Sequence, residues 1–232
     1  MSSRTSQRRS RVTEEWAPGE TPRIGVAGSL PRELQAVLER VATPVGPEER
    51  GCACLVVPDL RSVPPDLERP VVVAPAVGAD RLEAILTGEA TRHALPRVGV
   101  ETPAGDTQAL LDVTLAARTP GRLSEFAVTG AADLGRVRAD GIVAATPRGS
   151  REYASRHGAP TLEGDSLAFV VEPIGSVGLG SPRWATTGPA LTLSVCRDED
   201  PVGVWVDGHD AGAVPNGTSV TLTADGHIEM LV

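Results

Sequence analysis

The chain has 232 residues, of which 41% are hydrophobic and only 3% aromatic, with a formal net charge of −8. A fold of that length buries roughly 70% of its unfolded surface; the charge opposes general nucleic-acid binding, and no apolar run approaches the roughly 18–20 residues that cross a bilayer. All 22 basic side chains are arginine, which excludes a P-loop with its phosphate-binding lysine and any enzyme built on a lysine Schiff base.

Residues 1–21 open with MSSRTSQRRSRVTEEW, Arg-rich and then Glu-rich, and run on through Pro18 and Gly19. This composition predicts a disordered tail. Its positive charge is not followed by the apolar core of a signal peptide, so a soluble cytoplasmic protein is expected. From Arg23, IGVAG reads as a strand ending in a turn. PRELQAVLERVA (31–42) sets Leu34, Val37, Leu38 and Val41 at helical spacing behind Pro31. CLVVP (54–58) and PVVVAP (70–75) are short continuous apolar runs, as in strands buried on both faces, and GADRLEAILTGEA (78–90) is a second helix. Strand, helix, strand, strand and helix predict an α/β domain over residues 22–97, with a Rossmann-like parallel sheet. Cys52, Cys54 and Cys196 are an odd set of thiols, so no disulfide framework is expected. Cys52 and Cys54 lack the histidines of a zinc site and read as small residues at a strand start.

Residues 98–232 change texture. RVGVE, ALLDVTLAA, SEFAV, GIVAA, LAFVVEP, ALTLSVC, VGVWVDG and TSVTLTA alternate in polarity, with Gly, Pro or Asp between them. That pattern predicts a β-rich, sandwich-like domain, whose last segment is a candidate to return to the first domain. The one helical window in it is 150–157. His93, His157, His209 and His227 show no metal-ligand pairing, so no metal centre is assigned. Ser150 lacks the Gly-x-Ser-x-Gly setting of a hydrolase nucleophile. Trp184 and Trp205 read as caps on the β core, and GSVGLG (175–180) reads as a flexible loop.

Within the β-rich part, residues 139–160 read ADGIVAATPRGSREYASRHGAP. Asp140-Gly141, an apolar strand, Thr146-Pro147-Arg148-Gly149-Ser150, Tyr153 and Gly158-Ala159-Pro160 resemble, in order, the signature of the NAD kinase family. There an Asp-Gly and a strand lead into Thr-Pro-Thr-Gly-Ser-Thr-Ala-Tyr and then Gly-Gly-Pro. Ala109-Leu110-Leu111-Asp112-Val113 falls where the family has Ala-Leu-Asn-Glu/Asp-Val. Glu172-Pro173-Ile174 stands at Thr-Pro-Ile, and Val206-Asp207-Gly208 resembles a late hairpin. The match runs in order from about residue 90 to the end. The family's fold, an α/β domain followed by a β-rich one, agrees with the reading of the elements.

The resemblance implies phosphoryl transfer from ATP or polyphosphate, with Mg2+, to the 2′-hydroxyl of NAD, giving NADP. It also implies a homo-oligomer, in which a related active kinase is an alternative partner. It places Asp140, Thr146, Gly149, Ser150 and Tyr153 beside the dinucleotide, and Arg148 and Arg151 where the family has threonines. Those two, with Arg156, either bind phosphate or form a solvated helix face. The family's catalytic carboxylate lies in a Gly-Gly-Asp-Gly-Thr loop after the strand matching CLVVP. Here that place reads Asp59-Leu60-Arg61-Ser62-Val63-Pro64-Pro65, with no glycine and with two prolines that lack amide donors. The acidic role therefore falls to Asp59 or Asp112, while Asp106, in Ala104-Gly105-Asp106-Thr107, reads as a turn residue. Leu111 replaces the family's asparagine and cannot hydrogen-bond a substrate. The alternative is an inactive homologue that serves as a dinucleotide-binding, regulatory or structural subunit.

Overall fold

A computed structural model of the chain describes residues 16–164, 166–177 and 182–232. The tail read at 1–21 lies outside the described residues up to position 15, and GSVGLG does so from position 178. Trp16 is buried, and its Nε1 donates to the Ile85 carbonyl.

The first half is a layered α/β unit. Strands β1 (Arg23–Val26), β2 (Thr43–Val45), β3 (Cys54–Val57) and β4 (Val71–Val73) pair in parallel in the order β2-β1-β3-β4. Helices α1 (Arg32–Val41), α2 (Ala74–Val77) and α3 (Ala79–Leu86) complete the unit. The strand period of two explains why β3 is buried throughout. Cys54 and Val56 join a core with Leu34 and Leu38 of α1 and Leu82 and Ile85 of α3. Leu55 and Val57 join Leu60, Leu110, Leu111 and Ile228 in another. That second cluster ties the α/β unit to the β-rich half of the chain. Cys52, Cys54 and Cys196 are all free, with Cys54 buried, where desolvation pushes its thiol up to about 12.

The remaining strands are β5 (Arg92–Thr102), β6 (Gly105–Ala109), β7 (Asp112–Ala117), β8 (Ser124–Thr129), β9 (Asp133–Ala139), β10 (Gly141–Ala145), β11 (Phe169–Ile174), β12 (Trp184–Thr186), β13 (Ala190–Arg197), β14 (Val202–Val206), β15 (His209–Val214) and β16 (Ser219–Leu231). A short helix, α4 (Tyr153–Arg156), follows β10. The long strand β16 runs antiparallel to β5 and, at Met230, parallel to β4 at Val71. It thereby joins the parallel strands to β13, β8 and β9 in one ten-stranded sheet. The second sheet is antiparallel, in the order β12-β11-β10-β7-β14-β15. Val113, Leu115, Ile142, Phe169 and Val204 from it share one core with Val98, Phe126, Val128, Leu191 and Leu193 from the first sheet. Both phenylalanines of the chain lie there fully buried, each worth about 1.5–3 kcal/mol of apolar burial. Two packed sheets with alternating inward residues make a sandwich.

Candidate functional site

Alternation on β7 sends Val113 and Leu115 into the sandwich core and turns Asp112, Thr114 and Ala116 to the other face of the sheet. Trp205 of β14, in register with Thr114, shares that face. Its indole lies over Gly203, where an added Cβ would stand 2.6 Å from the ring. The Arg118 guanidinium sits 5.4 Å from the indole centroid. Asp112, Thr114, Ala116 and Trp205, together with Glu152, Tyr153 and Arg156 around α4, Gly208 and Arg61, line a cavity of about 440 Å³.

The backbone that carries Asp112 is clamped from two sides. Asp207, in the β14–β15 turn with φ of +49°, accepts from the amides of Leu110 and Leu111 at 2.8 Å and of Asp112 at 2.9 Å. Its own amide donates to the Asp112 carbonyl at 2.9 Å. Burial pushes the Asp207 carboxyl up, and the three amides pull against that shift. On the other side, the Thr146 amide donates to the Leu111 carbonyl at 2.9 Å and its hydroxyl to the Leu110 carbonyl at 2.8 Å. Gly149 completes the clamp, since a Cβ there would stand 2.0 Å from the Leu111 carbonyl oxygen. Leu111 itself is fully buried in the core beneath β3.

The segment after β3 forms a short 3-10 turn, Leu60–Ser62, whose Leu60 enters the core and whose Arg61 reaches the cavity. Arg61 Nη2 donates to Asp112 at 2.9 Å and to Glu152 at 3.2 Å. The Asp112 side chain is only 3% exposed; burial pushes its carboxyl up, and Arg61 opposes that shift. His209 Nε2 donates to the Arg61 carbonyl at 2.8 Å, which holds the turn against the β14–β15 hairpin. Further along the same face of the sheet, Glu172 sits in register with Val143, itself in register with Thr114. It is buried and ion-paired with Arg183 at 3.0 Å, and desolvation pushes its carboxyl up.

Of the residues singled out in the sequence, Asp112 and Tyr153 share the cavity, and Tyr153 meets His157 edge-on with centroids 4.7 Å apart. Asp59 is exposed and caps the 3-10 turn, accepting from the Ser62 amide at 3.1 Å and its hydroxyl at 3.2 Å. Asp140, at the head of β10, has its carboxylate against Gly175, where a Cβ would stand 2.6 Å from Oδ2; it does not line the cavity. Thr146 and Ser150 are buried; the Thr146 hydroxyl donates to the Leu110 carbonyl and accepts from the Gly149 amide. Ser150 Oγ donates to the Pro147 carbonyl and accepts from the Leu162 amide. Arg148 and Arg151 are exposed and line a separate pocket of about 160 Å³. Trp184 packs against the sandwich core, whereas Trp205 forms a cavity wall. Sequence reasoning missed Arg61, Thr114 and the clamp by Asp207; the only local signals were the Asp-Gly turn and the alternation along β7.

No protein-family model matches the chain. Its sequence is similar to the NAD kinase of Chlorobium luteolum, 29% identical over 158 residues, which is 66% of this chain and 50% of that protein. It is 33% identical to the NAD kinase of Chlorobium phaeobacteroides over 126 residues, 54% of this chain and 38% of that one. The chain thus spans about half the length, or less, of these curated relatives. In fold it is similar to an NAD kinase from Archaeoglobus fulgidus solved with ATP, with a TM-score of 0.72, 18% identity, and 90% and 92% of the two chains covered. It is also similar to yeast NADH kinase solved with NADH, with a TM-score of 0.72, 13% identity, and 92% and 84% covered. A parallel α/β sheet running into a β sandwich is the fold of those kinases, and with the sequence likeness it supports membership of the NAD kinase family.

Proposed function

We propose that this protein is an NAD kinase homologue that binds an adenine dinucleotide in the 440 Å³ cavity and does not carry out the transfer. The volume lies within the roughly 300–1,000 Å³ of small-molecule sites. Tyr153 and Trp205 offer aromatic faces to a base, and Arg156 offers charge to a phosphate. Similar proteins were solved with ATP and with NADH. One observation carries the loss of turnover: the segment after β3 delivers the guanidinium of Arg61 onto Asp112 and Glu152. Phosphoryl transfer needs a carboxylate free to meet the attacking hydroxyl and donors aimed at the phosphates. Here both cavity carboxylates face Arg61, and Pro64 and Pro65 follow in place of glycine amides. The same pairing makes Asp112 and Glu152 a poor fit for Mg2+, and among the described residues no three acidic, His or Cys side chains converge as a metal site.

A second reading, transfer from ATP or polyphosphate with Asp112 as the base, draws on one feature. Burial pushes the Asp112 carboxyl up, the direction that suits a general base working near neutral pH. Incubation with NAD, Mg2+ and either ATP or polyphosphate, at low and high salt, separates the readings. The proposal expects no NADP, but a thermal shift with NAD or NADP, since a ligand stabilises the state it occupies. Turnover that disappears in Asp112→Asn would establish the second reading. No shift with any nucleotide would sink both, leaving a structural subunit that pairs with a related active kinase. The proposal includes self-assembly and a cytoplasmic location; sedimentation of the purified chain tests the first.

A further inference from the structure

The three tryptophans of the chain are held in two ways. Trp16 and Trp184 each donate from Nε1 to a backbone carbonyl, of Ile85 at 2.6 Å and of Leu134 at 2.7 Å. Among the described residues Trp205 makes no such bond, although it forms a wall of the large cavity. Its ring is set by three neighbours instead. Gly203 precedes it by two positions on β14, and Asp210 stands opposite it on β15. Arg118 follows β7, where its amide donates to the Pro201 carbonyl at 3.0 Å. From there its side chain reaches across β14. Nη1 and Nη2 donate to the two carboxylate oxygens of Asp210 at 2.8 and 3.0 Å, and Nη2 also donates to the Gly212 carbonyl at 2.8 Å. That fork fixes the guanidinium over the indole, 5.4 Å from its centroid, within the ~6 Å reach of a cation–π contact. Gly203 leaves room for the crossing: a Cβ there would stand 2.6 Å from the indole and 3.2 Å from the guanidinium carbon. The Arg118 hydrogen bonds also hold the Asp210 carboxyl down at about 2, so the pair stays ionised through the neutral range.

We propose that Arg118 is a positioning residue, which through the indole of Trp205 sets the cavity to take ligands that carry a planar ring. The inference rests on the cavity reading above and deepens it, by naming the part of the ligand that this wall meets. A ring that stacks on an aromatic wall needs that wall in one orientation, and a side chain left free to turn must be ordered at each binding event. Arg118 is not itself among the residues that line the cavity, so its effect on binding must pass through Trp205. Adenine and nicotinamide both supply such a ring.

A double-mutant cycle on the full chain tests this, with NAD binding followed by titration calorimetry. Arg118→Ala should weaken NAD by about two- to fivefold, the range of a cation–π contact at an exposed site, and Arg118→Lys should recover part of the loss. In a Trp205→Ala background the same change should have no further effect, because the group it acts through is gone. Equal losses in the two backgrounds would overturn the proposal. So would the same loss in Arg136→Ala, which breaks an exposed ion pair with Glu125 on the other sheet. AMP and NMN separate the two rings: the one whose binding falls in Arg118→Ala carries the stacked ring, and neither falling counts against the proposal. A second measurement needs no ligand. With fluorotryptophan incorporated, Trp205→Ala identifies the fluorine resonance of Trp205. Arg118→Ala should shift or broaden that line and leave those of Trp16 and Trp184 in place; an unmoved Trp205 line overturns the positioning role. A wild type that binds no NAD while the line still moves would sink the cavity reading and support the hold of Arg118 on the ring, so the two failures are distinct results.

Discussion

Replacing Asp207 by Asn tests how the cavity floor is held in place. The native carboxylate accepts from three backbone amides at 2.8, 2.8 and 2.9 Å while 8% exposed. A hydrogen bond to a charged group contributes about 1.5–3 kcal/mol net, and a buried donor left without a partner costs about 1–3 kcal/mol. Asn accepts the local φ of +49° without strain, so the turn itself is unperturbed. Its carbonyl oxygen can still serve Leu111 and Asp112, as neutral bonds in place of charge-assisted ones. Its NH2 group then faces the Leu110 amide, donor against donor. The expected loss is about 2–4 kcal/mol, a large share of the 5–15 kcal/mol that holds a domain together. Asp207→Gly also tolerates the φ but removes every acceptor, so it should cost more than Asn. Urea unfolding of the three proteins at one pH, followed by tryptophan fluorescence, gives the order directly. Asp112 rides on the same backbone, so the folded Asn variant should also bind NAD more weakly. Both variants losing less than about 1 kcal/mol, or Gly proving milder than Asn, would refute the clamp.

Three further perturbations draw on the same geometry. Arg61→Ala leaves the Asp112 carboxyl without its cation. Asp112 already holds its proton more tightly in the folded than in the unfolded chain, so its contribution favours the native state at low pH and is lost as pH rises through its folded value. Removing Arg61 raises that value further, so the penalty should be small near about pH 4 and grow towards about pH 7, to ~1–2 kcal/mol given that water reaches the partly exposed pair; denaturant melts with a flat or shrinking penalty would contradict this. Gly149→Ala places a methyl 2.0 Å from a backbone oxygen and should cost more than about 3 kcal/mol or prevent folding, so a variant that melts within a few degrees of the wild type would show that the turn can yield. Trp205→Ala removes an aromatic wall and should weaken NAD by about tenfold or more, as base stacking contributes ~1–3 kcal/mol; equal NAD titrations would mean that the base lies elsewhere.

What could be read from the chain alone was whatever local periodicity carries. Continuous apolar runs marked β3 and β4, and the spacing of Leu34, Val37, Leu38 and Val41 marked α1, the first three of them buried and Val41 half-buried. Strand β2 was missed because Thr43-Pro44-Val45 is too short to show a period and contains proline, which an edge strand tolerates. ALLDVTLAA read as one strand; it is broken at Leu110 and Leu111, because the amides there turn to a carboxylate almost a hundred residues later in the chain. No window centred on Leu110 contains that fact.

The same limit explains the site. Asp112 and Tyr153, which line one cavity, were singled out by resemblance because the stretches around them keep the family's order, whereas Arg61 reads as an ordinary turn residue until the fold sets it against a carboxylate 51 positions away. Its consequence runs through the whole cavity. A glycine loop after β3 would present amides and a carboxylate to a ligand; the capped turn present here spends Asp59 on Ser62 and projects a cation instead. Arg61 takes Glu152 as well as Asp112, so the arginines beside Glu152 are left without their nearest acid. The one turn after β3 thus links two features: Asp112 and Glu152 are both paired with Arg61, and among the described residues Arg148, Arg151 and Arg156 make no ion pair.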